Sequence, residues 1–430
     1  MRGITYRVLN SYVGRVVQLC AIRGSGLALQ LITSIVVARQ LGLEGFGIYT
    51  YTFTWIIIIG LFSQMGVGPL AAREVAKFQE TSLHSRLKGF LYFSLFALLF
   101  GLTTSALLIF ILDWVGVNYE IPLWILIIGV YVQGLILAVE GILSGMQKIV
   151  QVQLFSNLLR PLTFLITILL LQSQNLNPTN ILLVSIITSA FMLFVCSLFL
   201  RKELRIKGVF RHPASFSIND WTKAASALLW IGLANVLLNQ VSTLMVGHLL
   251  PSSDVGLYRA ASRGVDFVVI AVGLVLQLLS PTLSRKFAGG VLAEVRDLIT
   301  QAAWLFLIIG LSLSAVLFVF AESYLQLFGE DFVGGVLVIR ILLIGQIVSI
   351  LTGPCAVILV VLGREWIVLC VTIASIFVNS ILVLVLIEHS NLSGAAWGTT
   401  ISIILLRILM FVLVIREGFN PTVWRKLKWR

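Results

Sequence analysis

The chain has 430 residues, 59% of them hydrophobic and only 11% charged, with a mean hydropathy of +1.04. These values lie outside the range of soluble domains and predict an integral membrane protein. The net charge of +12 does not point to nucleic acid, because the lysines and arginines gather in the connections between apolar stretches.

A spanning helix needs about 20 apolar residues. The sequence supplies about twelve such stretches, at 18–38, 48–70, 89–112, 121–143, 152–172, 181–200, 224–250, 256–280, 298–320, 333–361, 366–387 and 395–415. They are much longer than the roughly ten-residue alternating strands of a membrane barrel, so the expected class is all-α. Of the 30 Lys and Arg, 23 fall in alternate connections: Arg2, Arg7 and Arg15; residues 73–88; Lys148; Arg201 to Lys223; Arg285 to Arg296; Arg364; and Arg416 onward. The intervening connections hold Arg39 alone. That bias predicts cytoplasmic termini at both ends. The basic segment 201–223 and the tail RKLKWR also suit anionic headgroups, although a topology signal alone accounts for them.

The first stretch is too long for a signal peptide and no A-x-A-like site follows it, so it is expected to remain as a helix. It carries Arg23, Gln30 and Ser34 at helical spacing. The second carries Thr50 and Thr54, the fourth Glu140 and the fifth Arg160. In the seventh, Asn235, Asn239 and Ser242 form another polar stripe. The eighth opens with GLYRAASRGVDF, which puts Arg259, Arg263 and Asp266 on one helical face. Arg340 and Arg407 follow in later stretches. Each charge at the bilayer centre costs about 2.5–3.5 kcal/mol on insertion scales, so these groups must face protein, water or a ligand. Asp266 is placed to pair with Arg263 three residues back, which leaves Arg259 unpaired. Arg23 and Arg259 read either as ligand contacts or as structural interhelical bonds. Structural roles are expected for Arg160, Arg340 and Arg407. Asp266 and Glu140 are candidates for ion coupling or for a structural pair. Tyr49, Tyr51, Trp55, Trp230 and Tyr258 suit either sugar stacking or helix packing and an interfacial belt.

The four cysteines (Cys20, Cys196, Cys355, Cys370) make no CxxC pair and read as small packing residues. The histidines, His84, His212, His248 and His389, show no metal-ligand spacing. No phosphate-binding glycine loop occurs, so neither a metal nor a cofactor is expected.

An internal duplication organises the chain. GFGIYTYTFTW and DVGLYRAASRG share a G-[IL]-Y core, with Gly47 and Tyr49 matching Gly256 and Tyr258; PLAAREVAK at 69–77 faces PTLSRKFAG at 281–289; LSGMQK precedes the fifth stretch as VLGREW precedes the eleventh. Two parallel six-helix repeats with a cleft between them are therefore expected: residues 1–200, the basic cytoplasmic linker 201–223, residues 224–415, and the basic tail 416–430. A cleft whose unpaired charges are arginines favours an anion, and guanidinium matches phosphate oxygens with a planar fork of donors.

The stretches VVARQLGLEGFGIYTYTF, MGVGPLAAREVAK, VLVIRILLIGQIVSILTGPCAVILVVLGREW and VNSILVLVLIEHSNLSGAAWGTTIS resemble the Wzx-like polysaccharide biosynthesis flippases of the multidrug/oligosaccharidyl-lipid/polysaccharide (MOP) exporter superfamily. The resemblance covers nearly the whole chain. It implies a two-lobed, V-shaped transporter of twelve transmembrane helices in the bacterial cytoplasmic membrane, flipping an undecaprenyl-diphosphate-linked oligosaccharide by alternating access. The partners implied are that lipid-linked anionic glycan, membrane lipids and polysaccharide assembly enzymes, with no nucleic acid. Cavity arginines of related lipid II flippases correspond here to Arg23, Arg259 and Arg263, with Gln30, Asn235 and Asn239 as further polar lining. The chain departs from the family pattern at Leu43, where Pro is common, and at Val383 and Glu388, beyond a retained Asn379. Two alternatives stand beside this one. An ion-coupled multidrug or cation exporter of the same superfamily would want acidic residues inside. A membrane-embedded glycan polymerase or ligase would want a large outer loop or a His and carboxylate cluster, so no enzyme is expected.

Overall fold

A computed structural model describes the backbone of residues 2–81, 83–117, 119–171, 176–206, 208–209, 212–288 and 292–422, and side chains throughout these except at 2–17, 20, 80, 277–282, 284–285, 288 and 292–293. The expectations placed on the side chains of Arg2, Arg7, Arg15, Cys20 and Arg285, on Arg211, and on the tail RKLKWR lie outside the described residues. In chain order the helices are α1 (Arg2–Ser63), α2 (Val67–Glu80), α3 (His84–Trp114), α4 (Leu123–Gly145), α5 (Ile149–Gln153), α6 (Arg160–Leu170), α7 (Pro178–Ile206), α8 (Ile218–Leu249), α9 (Ser252–Ala288), α10 (Leu292–Phe306), α11 (Ser312–Val319), α12 (Ala321–Gln326), α13 (Val336–Thr352), α14 (Cys355–Val361) and α15 (Glu365–Arg416). Two π-helical turns, Leu154–Leu159 and Leu307–Leu311, join α5 to α6 and α10 to α11. No strand occurs among the described residues.

Nine helices among the described residues are long and apolar enough to cross a bilayer. The protein is thus an all-helical, multi-pass membrane protein, which requires every backbone polar group at that depth to be bonded within its own helix. Large apolar side chains lie open on its surface, among them Leu170, Trp366 and Phe96, as a hydrocarbon solvent allows. Two helices each cover a pair of the predicted spans. α1 is interrupted at Gly42, whose φ of 68° is left-handed, a conformation glycine adopts without the Cβ penalty. α15 is interrupted at Ser390 and Asn391, the latter at φ 47°.

Two boundaries differ from the sequence expectation. The second span stops at Ser63, because Met65 and Gly66 both take positive φ (51° and 73°) before α2 begins. α2 is a separate amphipathic helix: Leu70, Ala71, Val75 and Phe78 are buried, whereas Arg73 and Lys77 are exposed or near it. The tenth span ends at Thr352, where Gly353 turns left-handed and Pro354 lacks a backbone donor. The proposed match of 69–77 with 281–289 has different local structure in its two copies. The first starts a new helix and the second, as far as Ala288, runs on inside α9, where the position corresponding to Gly66 is Leu278 and nothing breaks the helix.

The chain divides into two compact units, residues 1–41 with 48–236, and residues 42–47 with 237–430. The division falls inside α8 rather than across 201–223. Trp221, from the C-terminal end of that segment, is buried in the core of unit 1 edge-on to Phe90 at 5.3 Å and to Phe78 at 6.4 Å, with Leu204 and Val209 in the same cluster. In unit 2, Phe46 packs against Phe328 and Phe332. The duplicated glycines meet there: a Cβ on Gly47 would lie 1.7 Å from the Ser252 carbonyl oxygen, and one on Gly256 would lie 2.4 Å from that of Leu43. A second core of unit 2 joins α9, α10, α14 and the end of α15 through Leu283, Ile299, Leu359 and Met410.

Candidate functional site: interior polar groups of the two units

In unit 1 the polar groups converge on the first π-helical turn. A π turn admits an extra residue and shifts the facing of the side chains around it, and such turns recur at functional sites. Arg23, half-buried on α1, donates from Nε to Gln153 Oε1 at 3.2 Å. Asn157 Nδ2 donates to the same oxygen. Ser156 Oγ donates to Glu140 on α4. Arg160 donates from Nε to Ser189 Oγ at 2.9 Å and from Nη2 to Gln133 Oε1 at 3.0 Å, tying α6 to α7 and α4. Glu140, Ser156 and Arg160 line a small pocket with Phe155, Met192 and Cys196. Among the described residues neither Arg23 nor Glu140 has an ion-pair partner within 4.0 Å, whereas Arg73–Glu74, Lys148–Glu203, Lys286–Glu294 and Arg364–Glu417 do pair. Gln30 is half-buried two turns along α1 from Arg23.

Unit 2 places Arg259 in its interior, 6% exposed. Among the described residues its guanidinium makes no hydrogen bond and no ion pair. Arg263 is half-buried with Nε sealed from water and unbonded. The expected Arg263–Asp266 ion pair does not form within 4.0 Å. Side chains on a helix lean toward its N-terminus, so an arginine placed before its carboxylate reaches away from it, the less favourable order for such a pair. Asp266 is half-buried and likewise makes no ion pair among the described residues.

Beside these lies a hydroxyl and amide network. Asn379 Nδ2 and Thr399 Oγ1 both donate to Ser242 Oγ at 2.9 Å, and the Tyr258 hydroxyl bonds Thr399 Oγ1 at 3.0 Å. Asn235 and Asn239 are exposed on α8, and Asn235 Nδ2 bonds back to the Ile231 carbonyl.

The aromatic candidates separate by burial. Tyr49, Tyr51 and Tyr258 are buried within their units, with Tyr49 stacked on Phe53 and Trp55 edge-on to Tyr51 and Tyr119, whereas Trp230 is 67% exposed. Packing accounts for the buried three. Arg340 lies over the Phe318 ring at 5.4 Å, and Arg407 is half-buried with an unbonded Nε. Cys196 and Cys355 are buried, but Cys370 is exposed, so the packing role expected for it does not hold. Two of the scattered histidines meet, His84 and His212 stacking at 5.2 Å. No group of three or more metal-ligating side chains occurs among the described residues. Sequence reasoning passed over Gln153, Ser156 and Asn157; their Q-x-x-S-N-x-x-R spacing, ending at Arg160, is the signal that marks one helical face.

The fold is that of MOP-superfamily transporters. It superposes on the inward-facing conformation of a multidrug resistance MATE family transporter of that superfamily with a TM-score of 0.71 at 13% identity, over 94% of this chain and 98% of the other. It also superposes on the lipid II flippase MurJ, inward closed, with a TM-score of 0.65 at 15% identity, over 93% and 87%. A MOP superfamily transporter from Pyrococcus furiosus, described as having a binding pocket of reverse polarity, aligns with a TM-score of 0.60 at 15% identity, over 94% and 95%. No curated protein matches by sequence. The polysaccharide biosynthesis protein model matches residues 18–287, and the MatE model matches residues 231–386. The chain belongs to the polysaccharide biosynthesis protein family.

Proposed function

We propose that this transporter flips an undecaprenyl-diphosphate-linked oligosaccharide across the bacterial cytoplasmic membrane by alternating access, with both termini cytoplasmic and no enzymatic step of its own. The observation that carries the proposal is Arg259, a guanidinium 6% exposed with neither hydrogen bond nor ion pair among the described residues. A buried cation without a counter-charge is costly, and a transient anion relieves that cost. Arg23 supports the same reading, since its hydrogen-bond partner, Gln153, is a neutral amide. A diphosphate offers each guanidinium two oxygens in the plane of its fork, and Arg263, Gln30, Asn235 and Asn239 are the further polar contacts assigned to the headgroup. The anionic glycan and membrane lipids are its ligands, with glycan assembly enzymes its expected partners.

The test is a proteoliposome assay with a fluorescent undecaprenyl-diphosphate-linked sugar. Arg23→Ala and Arg259→Ala are expected to lower flipping at least tenfold, the loss of about 1.4 kcal/mol or more of anion binding. Wild-type rates in both reject the assignment. The MatE match favours a second reading, an exporter of organic cations. Efflux of a lipophilic cation from the same vesicles, unaffected by loss of either arginine, is the result that selects it.

A further inference from the structure

Glu140 stands inside unit 1 as a carboxylate for which diphosphate binding has no use. It lies in the last third of the membrane-length helix α4, half-buried, bonded by Ser156 and without an ion pair among the described residues. The nearby Arg160 is already committed to Ser189 and Gln133. The pocket they share has room for about one water molecule. Arg160 and Cys196 are the other titratable groups lining it. Around the pocket, α2 meets α4 through Gly68 against Gly141 and Ala71 against Gly145, α3 meets it through Leu98 near Ala138, and Lys148 beyond its end pairs with Glu203 of α7. A carboxylate at membrane depth with no bonded cation is poised to take up a proton.

The bonds then lead away from it. Ser156 belongs to the π-helical turn Leu154–Leu159, and Gln153, on the residue before that turn, accepts from both Asn157 and Arg23. α1 has no slack against the turn, since a Cβ on Gly26 would lie 2.4 Å from the Asn157 carbonyl oxygen. A change at Ser156 is therefore felt at Gln153 and at α1.

We propose that Glu140 binds and releases a proton and that the π-helical turn carries its state to Arg23, with Ser156 and Gln153 as positioning residues. Ionised, the carboxylate can only accept, and Ser156 donates to it. Protonated by hydronium that leaves a water in the pocket, the carboxyl becomes a donor, so the Ser156 hydroxyl is free to turn away and the turn to relax. The proton leaves to water by the same route, and no other bond is made or broken. Loss of the negative charge in unit 1 also favours an anion at Arg23. Protonation thus strengthens diphosphate binding.

This inference rests on Arg23 as a diphosphate ligand, and the experiment separates the two. Farnesyl diphosphate is titrated by calorimetry into the detergent-purified full chain across the neutral pH range. Wild-type affinity is expected to rise roughly fivefold or more toward acid. Glu140→Gln is expected to hold the acid affinity throughout, apart from the titration of the probe itself, and Gln153→Leu to bind as weakly as Arg23→Ala. If Arg23→Ala and Arg259→Ala bind as wild type, the diphosphate reading fails. If those lose binding while Glu140→Gln keeps the wild-type pH dependence, the coupling alone is overturned. A second measurement needs no ligand: difference infrared spectra should show a titrating carboxyl C=O band that vanishes in Glu140→Gln and moves in Ser156→Ala and in Gln153→Leu. A wild-type spectrum without that band, or a band indifferent to Gln153→Leu, also overturns the proposal.

Discussion

Ser242 and Tyr119 carry hydroxyls in unlike circumstances. Ser242 Oγ receives both Asn379 and Thr399, so Ser242→Ala strands the Asn379 amide in a buried site where its Oδ1 already lacks a partner. The expected cost is about 1–3 kcal/mol, read as a lower thermal midpoint in detergent. The Tyr119 hydroxyl lies sealed in the connection between α3 and α4 without a hydrogen bond, and burial pushes its ionisation above the usual phenol range. Tyr119→Phe keeps the ring contact with Trp55 and discards only an unsatisfied group, so the midpoint should hold or rise. The same distinction explains which interior residues can be read from sequence. Arg259 stands out because a charge in an apolar run has few structural excuses. Ser242 and Thr399 do not, because they come from helices 157 residues apart and an isolated hydroxyl on either one looks like back-bonding to its own turn. The absent Arg263–Asp266 pair shows the limit of spacing: it fixes a shared face but not where the end of a long side chain goes.

Elements divide in the same way. The apolar helices were legible because period and length survive averaging over a window. The break before α2 was not, since Met65 and Gly66 are themselves apolar and the interruption lies in φ rather than in hydropathy. Gly66 shows what that turn demands. Its φ is 73°, and a Cβ there would come 2.1 Å from the Ala225 carbonyl oxygen on α8. Gly66→Ala therefore meets both left-handed strain, about 1–2 kcal/mol, and a backbone collision, and it should sharply reduce folded protein in size-exclusion profiles. Gly24 is the control: it is helical in α1 with nothing within 4 Å of a Cβ. Gly24→Ala should raise the thermal midpoint by the equivalent of about 0.5–1 kcal/mol. Equal behaviour of the two variants would mean that the α2 to α8 approach is looser than described.

Across the whole molecule, the arrangement of charge makes a statement that neither unit makes alone. The basic residues of 201–223 and the acidic Glu330 and Asp331 lie in connections separated by an odd number of predicted spans, so they must face opposite sides of the membrane if the positive-inside bias sets orientation. Asp220 and Asp331 are both exposed, and each tolerates cysteine without loss of a described ion pair. In a background with the native cysteines replaced by alanine, a membrane-impermeant maleimide added to intact cells should label Asp331→Cys and leave Asp220→Cys unmodified until the membrane is opened. The reverse pattern would put both termini outside and make the arginine-rich connections extracellular. The direction in which Arg23 and Arg259 first meet a lipid-linked anion would then be inverted with them. Labelling of both positions in intact cells would instead mean that the number of crossings between them is even, and the helices from α8 to α11 would have to be counted again. α9 is the place to look, because it lies between the two positions and is not among the nine helices long and apolar enough to cross a bilayer among the described residues.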